Sequence, residues 1–315
     1  MIIFLFGEDN FRIREKLKSI TEHYTKIHKS GLNLKYFDCD KKSINAVFDQ
    51  FNKETMQNSM FKEKKLIIIG NPFLDINFKE KFLNTKKDLI NSEDIILLYQ
   101  NGKINQRNSL FSFLKKNAKS QEFKLLSPQK LKIWAKKEFE KYDAIIGENA
   151  LGVFIDNVGN DLWRMSQEIN KLSNYKDKEK IEEQDVRLLV KPKVETDIFK
   201  TIDAISEKNK KHALGLLNKH LRKGDSPLYL LSMINFQIKN LLIVKDLIQK
   251  GEPFNVVVSK SGLHPFVARK SYFQSQKFTF SELKKIFQNI FKIDLDIKTG
   301  KIDPEIALNL LVAEI

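Results

Sequence analysis

Apolar positions in the first third of the chain follow two alternating rhythms. Short runs at Ile2–Phe6, Leu32–Phe37, Lys65–Ile69, Asp94–Tyr99 and Glu122–Leu126 have the length and the β-branched or aromatic character of strands. Between them the spacing changes to threes and fours. Phe11, Ile13, Leu17, Ile20 and Tyr24 mark one face of a helix from about Asn10 to His28. Ser43 opens a second helix with Ile44, Val47, Phe48 and Phe51 on one face, and Phe78–Ile90 and Gln106–Ala118 read as two more. Gly7, Gly70-Asn71-Pro72 and Asn101-Gly102 close strands. Five strands joined through helical crossovers predict a parallel sheet covered on both faces.

From Ser127-Pro128 the strand rhythm stops. Ser127 fits a helix N-cap with Pro128 at the first helical position, and only helical spacing follows as far as Val190. Lys191-Pro192-Lys193 marks a second boundary. Longer helices are expected beyond it, near Asp197–Glu207, Lys210–Arg222, Pro227–Lys250, Pro265–Gln276, Ser281–Ile297 and Pro304–Ala313, with Gly224 ending the second and Ser226-Pro227 starting the third. The expected organisation is an α/β domain over 1–126, a small helical domain over 127–192 and a larger helical domain over 193–315. The fold class is therefore α/β followed by all-α.

Composition narrows the classes. With 42% apolar residues the chain can build packed interiors. No apolar run approaches the roughly 18–20 residues that span a bilayer. The start Met1-Ile2-Ile3-Phe4-Leu5-Phe6-Gly7-Glu8-Asp9 has no basic segment before its apolar run, so a cytoplasmic protein is expected. One cysteine, Cys39, permits no internal disulfide and no cysteine-cluster metal site. The net charge of +15 is compatible with nucleic acid. It is also diffuse: residues 196–315 hold 19 Lys and Arg against 12 Asp and Glu, and no block of like charge forms a tail.

A five-stranded α/β domain followed by a helical lid suggests the AAA+ nucleotide-binding architecture. Such a module holds phosphate with Gly-x-x-x-x-Gly-Lys-Ser/Thr after its first strand. Here the strand runs into Gly7-Glu8-Asp9-Asn10-Phe11-Arg12, which places two carboxylates where a helix N-terminus would meet an anion. Gly102-Lys103 and Gly300-Lys301 are both followed by isoleucine and lack the earlier glycine. Where a magnesium-holding acid is expected after a buried strand, the chain has Gln100-Asn101. His23, His28, His212, His220 and His264 form no metal-binding or nucleophile-activating spacing. No cofactor, metal or catalytic residue is expected.

Three stretches together resemble the delta subunit family of the bacterial DNA polymerase III clamp loader. They are Phe4-Leu5-Phe6-Gly7-Glu8-Asp9-Asn10-Phe11-Arg12-Ile13-Arg14-Glu15, then Gly159-Asn160-Asp161-Leu162 with Glu168-Ile169-Asn170-Lys171-Leu172, then a series from Asp197-Ile198-Phe199 to Asp303-Pro304. The series includes Leu221-Arg222-Lys223-Gly224-Asp225-Ser226-Pro227 and His264-Pro265-Phe266. The resemblance implies an AAA+-like shape without an ATP site, in a non-catalytic subunit that opens the sliding clamp. It implies a clamp anchor at Met60 and Phe61, within Asn58-Ser59-Met60-Phe61-Lys62. Taken alone, such an apolar pair would more readily belong to the domain's own core. The resemblance also implies a C-terminal collar packing against other clamp-loader subunits, with Arg269, Lys270, Lys298 and Lys301 as candidate contacts to primed DNA; a solvated basic face explains each of these equally well. Two other readings stand beside it: an active AAA+ NTPase with an atypical phosphate loop, and a free-standing DNA-binding protein.

Overall fold

The computed structural model describes residues 1–29, 31–40, 44–56, 63–177, 179–192 and 194–314, and the chain divides into two compact units, 1–125 and 126–315. In the first unit the strands are β1 (Ile2–Gly7), β2 (Leu34–Asp38), β3 (Leu66–Gly70), β4 (Ile95–Asn101) and β5 (Lys119–Phe123). They form one parallel sheet in the order β2-β3-β4-β1-β5. In register, Ile2 pairs with Ile96 on one side of β1, and Gly7 pairs with Asn101 and with Phe123. The crossovers carry α1 (Asn10–Ile27), α2 (Ile44–Met56), α3 (Ile76–Asn84), α4 (Lys86–Asn91) and α5 (Ser109–Asn117).

The two faces of the sheet are covered unequally. On one, Phe4, Phe6, Ile67, Ile69, Ile96 and Leu98 pack against Val47, Phe48 and Phe51 of α2, Phe78 and Phe82 of α3, Leu89 of α4 and Leu110 and Leu114 of α5. The aromatic rings there interlock, with Phe4 and Phe6 stacked at 4.7 Å. On the other face Leu5, Leu66, Ile68, Leu97 and Phe123 pack, among the described residues, against Ile13 and Tyr24 of α1, with Leu17 and Ile20 beside them. A helix about 10 Å wide cannot roof five strands set about 4.8 Å apart.

Three expectations shift. The last strand is Lys119–Phe123, not Glu122–Leu126. It is an edge strand whose middle residues are largely exposed, so the apolar run pointed to its exit and not to its body. The helix expected over Phe78–Ile90 is two helices broken at Thr85, and the first begins earlier, capped by Asp75, whose carboxylate accepts from Phe78 N at 3.0 Å. A short helix over Phe254–Lys260 was not anticipated.

In the second unit α6 (Pro128–Glu140), α7 (Glu148–Val158), α8 (Leu162–Lys176) and α9 (Glu183–Leu189) come first. Ser127 caps α6 ahead of Pro128 as expected. The core of this part includes Phe139, Phe154, Met165, Ile169 and Leu172. There follow α10 (Val194–Ser206), α11 (Lys210–Arg222), α12 (Pro227–Gln249), α13 (Phe254–Lys260), α14 (Pro265–Gln276), α15 (Phe280–Lys298) and α16 (Pro304–Glu314). By length and composition α12 could cross a membrane, but Leu230, Leu231, Ile234, Ile238 and Leu241 form the centre of this helical core. Gly224, at φ +87°, ends α11 in the left-handed conformation. The buried His220 ring sits 2.8 Å from the Asp225 carboxylate, which ties the end of α11 to the turn before α12.

Candidate functional site

At the carboxyl edge of the sheet, where parallel sheets bind ligands, β1 enters α1 through only Glu8 and Asp9. Gly7, at φ +142°, lies so close to the Phe123 backbone that a Cβ there would strike the Phe123 carbonyl. The Asp9 amide donates to that same carbonyl at 3.1 Å. The Asp9 side chain turns into the N-terminus of α1 and accepts from Arg12 N at 3.1 Å. The Arg12 guanidinium reaches the other Asp9 oxygen at 3.3 Å and the Lys124 carbonyl at 3.2 Å, and lies 5.5 Å over the Phe123 ring. Burial pushes the Asp9 carboxyl above its ordinary value, against the pull of Arg12. Lys103 pairs with Glu8 at 3.6 Å.

The neighbouring strand tips are bonded to each other. Gln100 is buried; its side-chain oxygen accepts from Phe73 N at 3.1 Å and its amide donates to the Asn101 carbonyl at 3.0 Å. Asn71, in the left-handed conformation at the end of β3, accepts from Asn101 N at 3.1 Å and donates to Asp40 at 2.6 Å. The turn thus presents an occupied helix N-terminus beside paired amides.

The other candidate, Met60 with Phe61, lies outside the described residues, which resume at Glu63. The segment that follows them is tied down at every residue. Glu63 accepts from Asn33 at 3.2 Å, the Lys64 carbonyl from the Tyr24 hydroxyl at 2.7 Å, and Lys65 N donates to Asp94 at 2.9 Å. The Lys65 ammonium, almost fully buried, donates to the Glu54 carbonyl in α2.

The four basic candidates do not form one patch of uncommitted charge. Arg269 is exposed on α14, its guanidinium 5.9 Å from the Phe273 ring. Lys270, next to it, turns inward. Its ammonium pairs with Asp156 at 3.1 Å and lies 5.3 Å from the Phe199 ring and 5.0 Å from Phe266. Lys298 and Lys301 flank the end of α15, paired with Asp294 at 2.6 Å and Asp296 at 3.5 Å. Cys39 is half-buried, its thiol pushed up to about 12 by burial, which makes it a poor nucleophile. Among the described residues no cluster of His, Cys, Asp and Glu could hold a metal.

Sequence spacing did not expose the role of the stretch Gly159–Leu172. Asp161 caps α8 by accepting from Arg164 N at 3.2 Å. Arg164 then donates to the Lys191 carbonyl at 2.6 Å, Lys171 to the Leu189 carbonyl at 2.9 Å, and Asn157 of α7 to the Val190 carbonyl at 3.3 Å. Glu168 lies between Arg164 and Lys171 and pairs with both. Three consecutive carbonyls leaving α9 are therefore held by this stretch and the helix before it.

Comparisons with known proteins agree with one another. Residues 4–124 match the family model described as DNA polymerase III, delta subunit, and residues 195–315 match that of the DNA polymerase III delta subunit, C-terminal domain. The DNA polymerase III subunit delta of Bacillus subtilis is 24% identical over 321 residues, covering 99% of this chain and 91% of that protein. A probable DNA polymerase III subunit delta of Aquifex aeolicus is 24% identical over 320 residues, covering 93% and 85%. Among solved structures, the Bacillus subtilis DNA clamp loader delta protein superposes with a TM-score of 0.77 at 24% identity, covering 99% of this chain and 94% of that one. This last likeness speaks to the fold.

Proposed function

The chain belongs to the DNA polymerase III delta subunit family, and from that premise we propose that it binds and opens the sliding clamp during DNA replication without hydrolysing ATP. The observation that carries the second half is Asp9. Its carboxylate caps α1 where a nucleotide's phosphates would have to bind, and the Gly7–Phe123 contact leaves no loop to wrap them. Bringing a polyphosphate against Asp9 and Glu8 would cost charge repulsion on top of the lost cap. The runner-up, an active NTPase, has to reopen this turn.

The clamp anchor on this reading is Met60 with Phe61. An aromatic ring beside a flexible thioether suits an apolar pocket on a partner. The described flank supports the assignment, because Glu63, Lys64 and Lys65 are fastened to the entry of β2, α1, α2 and the entry of β4, which gives an anchor a rigid base. We further propose the division 1–126, 127–192 and 193–315, with the last part as a collar against the other clamp-loader subunits. Primed DNA would pass Arg269 and Lys270 on α14, and the end of α15 at Lys298 and Lys301.

One preparation tests the anchor. Phe61→Ala is expected to weaken binding to the sliding clamp by about 2–4 kcal/mol, roughly 30- to 1000-fold. Met60→Ala is expected to cost somewhat less, and the melting temperature should stay within a degree or two for both. A core phenylalanine would behave in the opposite way, with the fold losing about 3–5 kcal/mol. A destabilised chain that still binds the clamp removes the anchor from Phe61.

A further inference from the structure

One buried charge has no part in the turn after β1. Lys65 stands immediately before β3 and is 3% exposed, a rare position for a lysine, whose ammonium is costly to strip of water. That ammonium donates to the Glu54 carbonyl. Glu54 lies in the last turn of α2, where carbonyls have no further helical amide to accept from and the negative end of the helix dipole favours a cation. The Glu54 carboxylate is engaged separately, with Lys35 of β2 at 3.3 Å. The backbone of Lys65 is fixed as well. Its amide donates to Asp94 at 2.9 Å, and its carbonyl accepts from Ile95 N at 2.8 Å at the start of β4.

A single side chain therefore joins the end of α2 to the start of β3, across 11 positions of the chain. Whatever lies between those points leaves and returns through one closed base. Met60 and Phe61 belong to that stretch. Stability alone does not call for the charge. A methionine of similar length would fill the space without desolvating an ammonium, and apolar replacements of buried ions are often neutral or stabilising. What methionine lacks is a donor for the Glu54 carbonyl, so the charge is matched to the joining of the two stems.

We infer that Lys65 is a positioning residue for the clamp anchor. Its ammonium holds the end of α2 against the entry of β3 and so limits the arrangements open to Met60 and Phe61 before the clamp is met. Restricting the free states of a binding segment lowers the entropy lost on association, and tying a loop at its base does so without a contact at its tip. The inference rests on the anchor reading of Met60 and Phe61.

The test is a clamp titration of the full chain carrying Lys65→Met, Phe61→Ala or both, with circular dichroism to confirm folding. Lys65→Met is expected to weaken clamp binding about three- to tenfold. In the chain that already lacks the Phe61 ring the same substitution should cost under about twofold, because there is no anchor ring left to position. A lysine with a merely structural role would give equal losses in both backgrounds, or none in either, and each of those results overturns the proposal. If Lys65→Met does not fold, Lys65→Gln, which removes the charge but keeps a polar head, takes its place in the same cycle. A Phe61→Ala chain that binds the clamp normally defeats the anchor reading and this inference with it. A weakened Phe61→Ala chain with additive losses defeats the positioning role alone and leaves the anchor standing.

Discussion

His264 shows how a single side chain can set a pH limit on the helical core. Its Nδ1 accepts from Phe266 N at 3.1 Å and so caps α14, which requires a neutral ring unprotonated at that nitrogen. Burial lowers its pKa to about 4, from an ordinary 6.5. With the folded value depressed, the unfolded chain takes up the proton first. The contribution is complete above about pH 6.5 and falls away as the pH drops towards 4. Partial exposure limits it to about 1–2 kcal/mol. Urea melts at pH 7 and pH 5 should therefore differ more for the native chain than for His264→Asn, which keeps a capping oxygen and cannot titrate; equal differences would refute this. Sequence spacing gave no hint of the role, because a cap is a matter of backbone angle and burial, and His264-Pro265 was legible only as a helix start.

At the scale of elements, legibility tracked amphipathic contrast. Lys210–Arg222 and Pro265–Gln276 have the limits expected of them, because a capping residue or proline marks one end and a turn the other. β5 was misplaced because its exposed edge offers little hydrophobic signal. The occupied turn after β1 was readable as Glu8 and Asp9, but the Phe123 carbonyl that closes it comes from a strand more than a hundred residues away. The restraint on Leu189, Val190 and Lys191 was likewise out of reach, since carbonyl partners leave no sequence pattern. It has a measurable effect. Replacing both Arg164 and Lys171 with alanine removes two of the three donors, so the Val190 amide, bonded to the Val186 carbonyl at 2.9 Å, should exchange its hydrogen with solvent several-fold faster under native conditions. An unchanged exchange rate would show that the donors do not restrain the segment.

For the molecule as a whole, one face of α15 stands out. Phe287, Phe291 and Leu295 recur every four residues along one face and are all exposed, Phe291 at 68%. Three large apolar side chains in a row suit the collar proposed to meet sister subunits. Phe291→Ser should leave the melting temperature within a degree or two yet weaken co-purification with the other clamp-loader subunits at least tenfold. If assembly is unaffected, that face is not the contact. The turn after β1 has a different consequence. Asp9 acts as a built-in ligand: an anion already seated on the end of α1 and tethered there by two peptide bonds, so its occupancy does not vary with concentration. A free ligand at a thousand times its dissociation constant would stabilise the chain by about 4 kcal/mol. Magnesium-ATP should instead leave the melting curve where it was, and a rise in melting temperature would defeat the idea. On the proposed reading, an ATP-binding protein has filled and empty states to pass between, whereas this turn has only the filled one.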